Sequence, residues 1–178
     1  MKKLFFLPLI AVFLAFSSCD QDESLDPRPV MVGGNFIRLD ITSKRFNFDD
    51  IENTHFVGML TNPSGKVVKY NLYVRKRDIN GFATEFKPLT TITTFPHELR
   101  VTPADVANAL GVPLNTLIKA DSFRFYAESF DAEGNRADYS SLSATIQGAV
   151  FMRQGYRFVT EMASNLNIND EYDNYPAQ

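Results

Sequence analysis

Residues 68–75 have the sequence Val-Lys-Tyr-Asn-Leu-Tyr-Val-Arg, in which apolar and polar side chains largely alternate. A period of two residues is typical of a β-strand with one face in the core and one face in water. We expect one face to be buried, and it consists of Val68, Tyr70, Leu72 and Val74. We expect the other face to meet solvent, and it consists of Lys69, Asn71, Tyr73 and Arg75.

Similar patterns on both sides of this stretch predict further strands. Two of them, at 36–41 and 122–131, have clear inward faces, which consist of Ile37, Leu39, Ile41, Phe123, Phe125 and Ala127. Shorter strands are predicted at 46–48 (with Phe46 and Phe48), 55–61, 89–95 and 99–101, and another carries Leu142, Ala144 and Ile146. Residues 155–161 are compatible with a last strand, although 151–162 could equally form a helix.

Turn-forming residues separate these stretches. Turns are predicted at 62–65, 78–81 and 131–135, where Asn, Asp, Pro and Gly favour a chain reversal. One helix interrupts the strands: Thr102 and Asp105 form a capping box around Pro103, and Gly111 ends the helix. We expect its buried stripe to consist of Val106, Ala109 and Leu110.

About seven short strands with frequent turns predict an all-β fold, an immunoglobulin-like β-sandwich. The short helix is then a crossover between the two sheets. We expect this domain to cover residues 33–162 and a polar, fraying tail to cover 163–178.

The first 18 residues have the three parts of a signal peptide. Lys2 and Lys3 form a basic start, residues 4–16 form an apolar run, and Ser17-Ser18-Cys19 is a small-residue exit. The run is shorter than the roughly 20 residues that a transmembrane helix needs. Small residues before a cysteine resemble the lipobox of bacterial lipoproteins, which predicts lipidation of Cys19. An ordinary signal peptide is the alternative.

Residues 19–32 are predicted to be a flexible, lipid-anchored tether. Asp20, Asp22 and Glu23 make its start acidic, which resembles the export signal of Bacteroidota surface lipoproteins. In enterobacterial lipoproteins, an Asp at the position of Asp20 indicates retention at the inner membrane instead. We favour the outer membrane, with the domain facing the cell exterior.

Composition limits the classes of function. The chain has 178 residues and a formal net charge of −3, and this acidic balance argues against a nucleic-acid partner. Its one cysteine lies at the processing site, so we expect neither a disulfide nor a thiolate metal cluster in the mature domain. The 16 Phe and 7 Tyr are expected to stabilise the fold by burial.

No catalytic motif is recognisable, and we predict a non-enzymatic protein without a cofactor or metal. The histidines, His55 and His97, lack the spacing of a catalytic or metal-binding pair. Asp131, Glu133 and Asn135 alternate as calcium ligands can, but the rest of a calcium loop is missing, so a hairpin turn is favoured.

Sugar-binding proteins often stack pyranose rings on exposed aromatic side chains, and this chain has no Trp. Tyr73 and Tyr126 lie on the polar faces of their predicted strands and are the candidates for such a contact. The alternative is that both rings simply cover the sheet surface.

The order of several segments resembles a known family. The segments are 33–38 (Gly-Gly-Asn-Phe-Ile-Arg), 46–50 (Phe-Asn-Phe-Asp-Asp), 68–74, 95–96, 101–111 and 121–125 (Asp-Ser-Phe-Arg-Phe). They look like a family of immunoglobulin-like Bacteroidota lipoproteins, similar to SusE-type accessory proteins of polysaccharide-utilisation loci. Where relatives commonly carry Gly before the Asp, this chain has Ala120.

The resemblance implies a surface-exposed lipoprotein that assists glycan binding or uptake, with an outer-membrane transporter complex as a partner. It implies no catalytic residues. The alternative is a structural or adhesin-like subunit that binds another protein through its sheet edges or loops, and the absence of Trp fits this alternative better.

Overall fold

A computed structural model describes residues 34–164, which form a two-sheet β-sandwich. The strands within this range are β1 (Arg38–Ser43), β2 (Phe46–Asn47), β3 (Phe56–Thr61), β4 (Val67–Arg77), β5 (Lys87–Ile92), β6 (His97–Val101), β7 (Ser122–Asp131), β8 (Arg136–Asp138) and β9 (Arg157–Ala163). One sheet has the order β1-β3-β6 and the other β2-β9-β7-β4-β5, with β8 also paired to β7. The prediction of an all-β sandwich is confirmed, with nine strands in the described range instead of about seven.

The core lies between the two sheets and is rich in aromatic rings. Phe56 of β3 faces Phe125 of β7 and Phe158 of β9, with ring centroids 5.8 and 5.3 Å away. Phe125 and Phe158 lie opposite each other on neighbouring strands and stack at 4.7 Å. This trio joins the sheets at the centre of the sandwich, and all three side chains are buried.

The alternation predicted for β1, β4 and β7 is largely confirmed. Ile37, Leu39 and Ile41 are buried, and so are the inward residues of β7. The prediction for Val68 is wrong, because Val68 is 46% exposed and its neighbour Val67 is buried. The pairing of β4 with β7 shifts register between Val67 and Lys69, and such a bulge moves the following side chains to the other face.

The predicted helix is α1 (Pro103–Leu110), which lies between β6 of one sheet and β7 of the other and therefore makes the expected crossover. Thr102 Oγ1 accepts a hydrogen bond from the Asp105 N–H at 3.1 Å, and Asp105 accepts one from the Thr102 N–H at 2.8 Å. Val106 is buried as predicted. Ala107 is buried too, whereas Ala109 and Leu110 are only partly buried against the core. No helix within residues 34–164 is long and apolar enough to span a membrane.

The strand predicted around Leu142, Ala144 and Ile146 is wrong. After the short β8, the chain forms a 3-10 turn (Tyr139–Ser141) and a second helix, α2 (Ala144–Gly148). The side chain of Asp138 accepts hydrogen bonds from the Ser140 and Ser141 N–H groups, and Ser143 caps α2. These side chains capture the N–H groups that a longer strand would pair with its neighbour.

The predictions for two other segments are correct only in part. Phe46 is buried in β2, but Phe48 begins a 3-10 turn (Phe48–Asp50) and is exposed. Between 151 and 162 the strand alternative is correct, because β9 begins at Arg157 after a 3-10 turn (Val150–Met152). The predicted turns at 62–65, 78–81 and 131–135 each close with a backbone hydrogen bond between their first residue and their Gly.

The beginning and the end of the described range are joined by hydrogen bonds. The Tyr156 hydroxyl donates to the carbonyl oxygen of Asn35, and the Gly155 N–H donates to that of Ile37 at 2.9 Å. The Leu39 N–H donates to the Arg153 carbonyl at 2.7 Å. This seam between residues 35–39 and 153–156 fixes β1 to the segment that precedes β9.

Ala120 adopts a left-handed backbone conformation, with φ of +72°. Because Cβ makes this conformation costly for an L-residue, Ala120→Gly is expected to raise the free energy of unfolding by about 1 kcal/mol. Urea denaturation measures the change. The control is Ala104→Gly on the exposed side of α1, which is expected to lower stability. A loss of stability in Ala120→Gly would contradict the prediction.

Candidate functional site

A cleft of about 250 Å³ lies on the face of the six-stranded sheet that points away from the core. Its floor consists of residues of β4, β7 and β9, and its walls are Phe86, next to β5, and the turn after β8. The lining residues are Arg75, Phe86, Arg124, Phe125, Tyr126, Asp138, Tyr139, Ser140 and Arg157. The cleft therefore combines three guanidinium groups with four aromatic side chains.

The three arginines lie on three adjacent strands. Arg75 of β4 lies directly opposite Arg124 of β7, and Arg157 of β9 lies opposite Tyr126, two residues further along β7. None of these guanidinium groups forms an ion pair with another residue of the described range. The buried Nε of Arg75 also has no hydrogen-bond partner there.

Burial, together with the charges of Arg77, Arg75 and Arg157, lowers the pKa of Arg124. Like charges disfavour one another at short range, and partial burial removes the water that would screen them. The floor of the cleft is thus a local concentration of positive charge in an acidic protein.

Two of the guanidinium groups are held against aromatic rings. The Arg75 Cζ lies 4.7 Å from the centroid of the Phe86 ring, and the Arg157 Cζ lies 5.3 Å from that of Tyr139. Both distances are within the range of a cation–π interaction. These contacts orient the outer arginines and leave Arg124 between them on the middle strand.

The structure brings the two predicted tyrosines together. Tyr73 and Tyr126 lie opposite each other on β4 and β7, with ring centroids 6.2 Å apart, and the Phe86 ring is 5.7 Å from that of Tyr126. Tyr126 lines the cleft, whereas Tyr73 lies beside it and donates a 3.3 Å hydrogen bond to Glu128. Burial raises the pKa of both tyrosines, so both hydroxyls are protonated hydrogen-bond donors at neutral pH.

Asp138 organises the wall of the cleft. Its carboxylate accepts hydrogen bonds from the Tyr126 hydroxyl at 2.9 Å, the Ser140 N–H at 2.8 Å and Arg136 at 2.6 Å. Burial by itself raises the pKa of Asp138, but hydrogen bonds from the Ser140 and Tyr126 hydroxyls and from the Ser140 and Ser141 N–H groups outweigh it and lower the pKa to about 2. The charge of Asp138 is therefore compensated by hydrogen bonds within the wall of the cleft, and one of these bonds holds the Tyr126 ring in place.

Asp138→Asn is expected to lower the free energy of unfolding by about 2 kcal/mol near pH 7. Because the pKa of Asp138 falls from 3.8 to about 2 on folding, its contribution is present above pH 4 and is lost as the pH falls towards 2. Urea denaturation of both proteins should show the difference shrinking over that pH range. Glu133→Gln, in an exposed turn, is the control. A difference that stays constant down to pH 2 would contradict the prediction.

The histidines lie apart from the cleft and from each other. His55 precedes β3 and contacts Arg100 at 3.1 Å, whereas His97 begins β6 and lies opposite Leu60, at the other end of β3. In the turn at 131–135, the Asp131 carboxylate accepts hydrogen bonds from the Asn135 N–H and side-chain amide at 2.8 and 2.9 Å. Within residues 34–164, no three His, Cys, Asp or Glu side chains are grouped to hold a metal.

The other predicted site residues lie outside the described range. They are the lipidation site Cys19 and the export residues Asp20, Asp22 and Glu23. Lipidation, export and the tether therefore stay predictions, and so does the tail beyond Ser164.

The sequence patterns do not predict the cationic floor, which consists of Arg75, Arg124 and Arg157. A signal did exist for two of its members, because Arg75 and Arg124 lie two residues from Tyr73 and Tyr126 on the same polar strand faces. Nothing in the local sequence marks Arg157 or Phe86, since the cleft joins them only through strand pairing and a loop.

No protein-family model matches this chain, and no curated protein does. The functional interpretation of the cleft therefore rests on its own geometry and chemistry.

Proposed function

We propose that this protein is a non-enzymatic lipoprotein that binds glycan in the cleft and assists glycan uptake at the outer membrane. The observation that carries the proposal is the meeting of aromatic rings and hydrogen-bonding side chains in one open cleft on a sheet face. Phe86 and Tyr126 offer ring faces, and the arginines offer donors for sugar hydroxyl groups. Ligand sites in general combine apolar surfaces with a few polar groups in this way.

The size of the cleft supports the binding of part of a polymer. Its volume of about 250 Å³ is slightly below the roughly 300–1,000 Å³ of pockets that enclose a small molecule. Phe86 is one of the exposed large hydrophobic residues, so its ring remains available to a ligand. An open site of this size suits one or two units of a longer chain that continues into solvent.

We also propose an immunoglobulin-like classification for the sandwich. The orders β1-β3-β6 and β2-β9-β7-β4-β5 correspond to strands A-B-E and A′-G-F-C-C′ of that fold. The parallel pairing of β2 with β9 supports the proposal, because it splits the first strand between the two sheets. The cleft then lies on the outer face of the sheet that contains strands C, F and G.

The remaining parts of the proposal come from the N-terminal sequence. The lipobox ending in Cys19 and the acidic residues after it support a lipid-anchored protein on the cell exterior. The resemblance of the segment order to SusE-type accessory proteins supports a transporter complex as the partner. Mass spectrometry of protein isolated from its native membrane tests the anchor, and an unmodified Cys19 would overturn it.

The test of glycan binding is affinity gel electrophoresis of the full chain against a panel of polysaccharides. We expect Phe86→Ala and Tyr126→Ala to abolish the retardation that the wild-type protein shows, whereas Tyr126→Phe retains the ring and most of the binding. Phe151→Ala is the matched control, because this exposed Phe does not line the cleft. If the wild-type protein binds none of the polysaccharides, the proposal is overturned.

A second candidate, a protein-interaction subunit, is favoured by the loop between β4 and β5. Phe82 is 77% exposed and Ile79 is 68% exposed, and exposed apolar residues in one loop are typical of a contact surface. Cross-linking on intact cells tests this candidate. Capture of an outer-membrane protein that is lost in Phe82→Ser, with no glycan bound by the wild-type protein, would favour it.

A further inference from the structure

The cationic floor, formed by Arg75, Arg124 and Arg157, is a cluster of arginines without carboxylate partners in the described range, whereas Arg38, Arg136 and Arg153 each have one. At the rim, Arg136 forms ion pairs with Glu128 at 2.9 Å and Asp138 at 2.6 Å. Arg38 of β1 and Arg153, in the segment before β9, contact Asp40 at 3.0 and 2.5 Å. Carboxylates thus form ion pairs with these arginines and, within the described range, with none of the three in the floor.

The spacing of the floor suits one anionic group. Neighbouring strands lie about 4.8 Å apart, so side chains from β4, β7 and β9 can converge on a ligand that sits over β7. Arginine presents a planar fork of N–H donors that matches a carboxylate or sulfate. The Nε of Arg75 is buried without a hydrogen-bond partner in the described range, so the protein groups do not fully satisfy this guanidinium.

An uncharged sugar would leave this charge uncompensated. The floor is partly buried, and the pKa of Arg124 is lowered by burial and by its three neighbouring arginines. Bringing an anion into such a site relieves repulsion as well as forming new hydrogen bonds. The orientation of Arg75 and Arg157 by Phe86 and Tyr139 also reduces the cost of ordering these long side chains on binding.

We propose that the glycan bound in the cleft is acidic, with a carboxylate or sulfate group held by Arg75, Arg124 and Arg157 and a sugar ring against Phe86 and Tyr126. This inference rests on the proposed glycan-binding function and adds its ligand class. The acidic group occupies the floor, and the uncharged remainder of the polymer extends past the aromatic wall.

The test compares polymers that differ only in charge. Dextran sulfate is matched with dextran, and polygalacturonate with its methyl ester, so the first pair tests sulfate and the second tests carboxylate. The full chain in detergent is measured with each polymer by calorimetry and by affinity electrophoresis. We expect a marked preference for at least one charged polymer over its uncharged match.

Substitutions locate the binding. Arg124→Gln is expected to weaken binding of the charged polymer by about tenfold or more, because it removes a charge-assisted contact in the middle of the floor. Arg124→Lys keeps the charge but loses the fork, so we expect an intermediate affinity. Arg100→Gln removes the same charge from the other sheet and should change affinity by less than about twofold. Thermal unfolding of each variant verifies that it is folded.

The outcomes separate the two proposals. Equal binding of charged and uncharged polymers, or equal losses in Arg124→Gln and Arg100→Gln, would overturn the acidic ligand and leave glycan binding intact. If only uncharged polysaccharides of the wider panel bind, the acidic ligand is likewise overturned and glycan binding is left intact. If the wild-type protein binds no polysaccharide at all, both proposals fall.

Discussion

Phe125→Ala is expected to lower the free energy of unfolding by about 3–5 kcal/mol. Phe125 is fully buried between the sheets and stacks on Phe158 at 4.7 Å, with Phe56 of the other sheet at 5.8 Å. Removing its ring leaves a cavity where the sheets meet, and the flanking aromatic side chains cannot fill it without leaving their own contacts. Urea denaturation followed by tyrosine fluorescence measures the loss.

The matched control is Phe82→Ala, which removes the same ring from a side chain that is 77% exposed. We expect a change below about 0.5 kcal/mol, as is usual for exposed positions. If Phe125→Ala were as mild as this control, the packing of the two sheets through the aromatic trio would be wrong.

Lys76→Met is expected to cost about 3 kcal/mol. The Lys76 Nζ lies 3.1 Å from Oδ2 of Asp121, whose side chain is fully buried. Removing one partner of a buried ion pair costs about 3–5 kcal/mol, and we expect the lower end of that range because the Lys76 side chain is 23% exposed. Thermal and urea unfolding both measure the effect.

The double variant Lys76→Met/Asp121→Asn separates charge from packing. Without the buried carboxylate, the loss of the ammonium should matter less, so we expect the double variant to be more stable than Lys76→Met alone. Asparagine also retains an oxygen that can accept the hydrogen bond of the Ile118 N–H, now 2.9 Å from Asp121. If the losses of stability in Lys76→Met and Asp121→Asn add up to the loss in the double variant, the two side chains are not coupled.

Local sequence patterns predict the elements that depend mainly on interactions within one short segment. The strand at 122–131 and the cap formed by Thr102 and Asp105 follow from side chains within the same short segment, and both were predicted with correct boundaries. The structure places Val67 inside instead of Val68, because the bulge arises from pairing with β7 and not from β4 itself. The alternation of residues after β8 predicts a strand. This prediction is wrong because the capping by Asp138 and Ser143 outweighs the alternation there.

The candidate site was predictable only in part for the same reason. Tyr73 and Tyr126 could be placed on polar strand faces from their own segments, and strand pairing then brings them together. Arg157 and Phe86 lie far from Arg124 in the chain, so their meeting depends on the sheet order and on a loop. Charge that accumulates across strands has no signature in a single strand.

The seam between residues 35–39 and 153–156 has a consequence for how the protein is made. The Tyr156 hydroxyl and the carbonyl of Asn35 are separated by 121 positions, so this contact cannot form until nearly the whole domain has been synthesised. An incomplete chain that stops before Gly155 would lack the seam to Tyr156 and Gly155, although its first strand could still pair with β3. The hydrogen bonds that tie the first strand to the end of the domain therefore become available only when the last strand is being made.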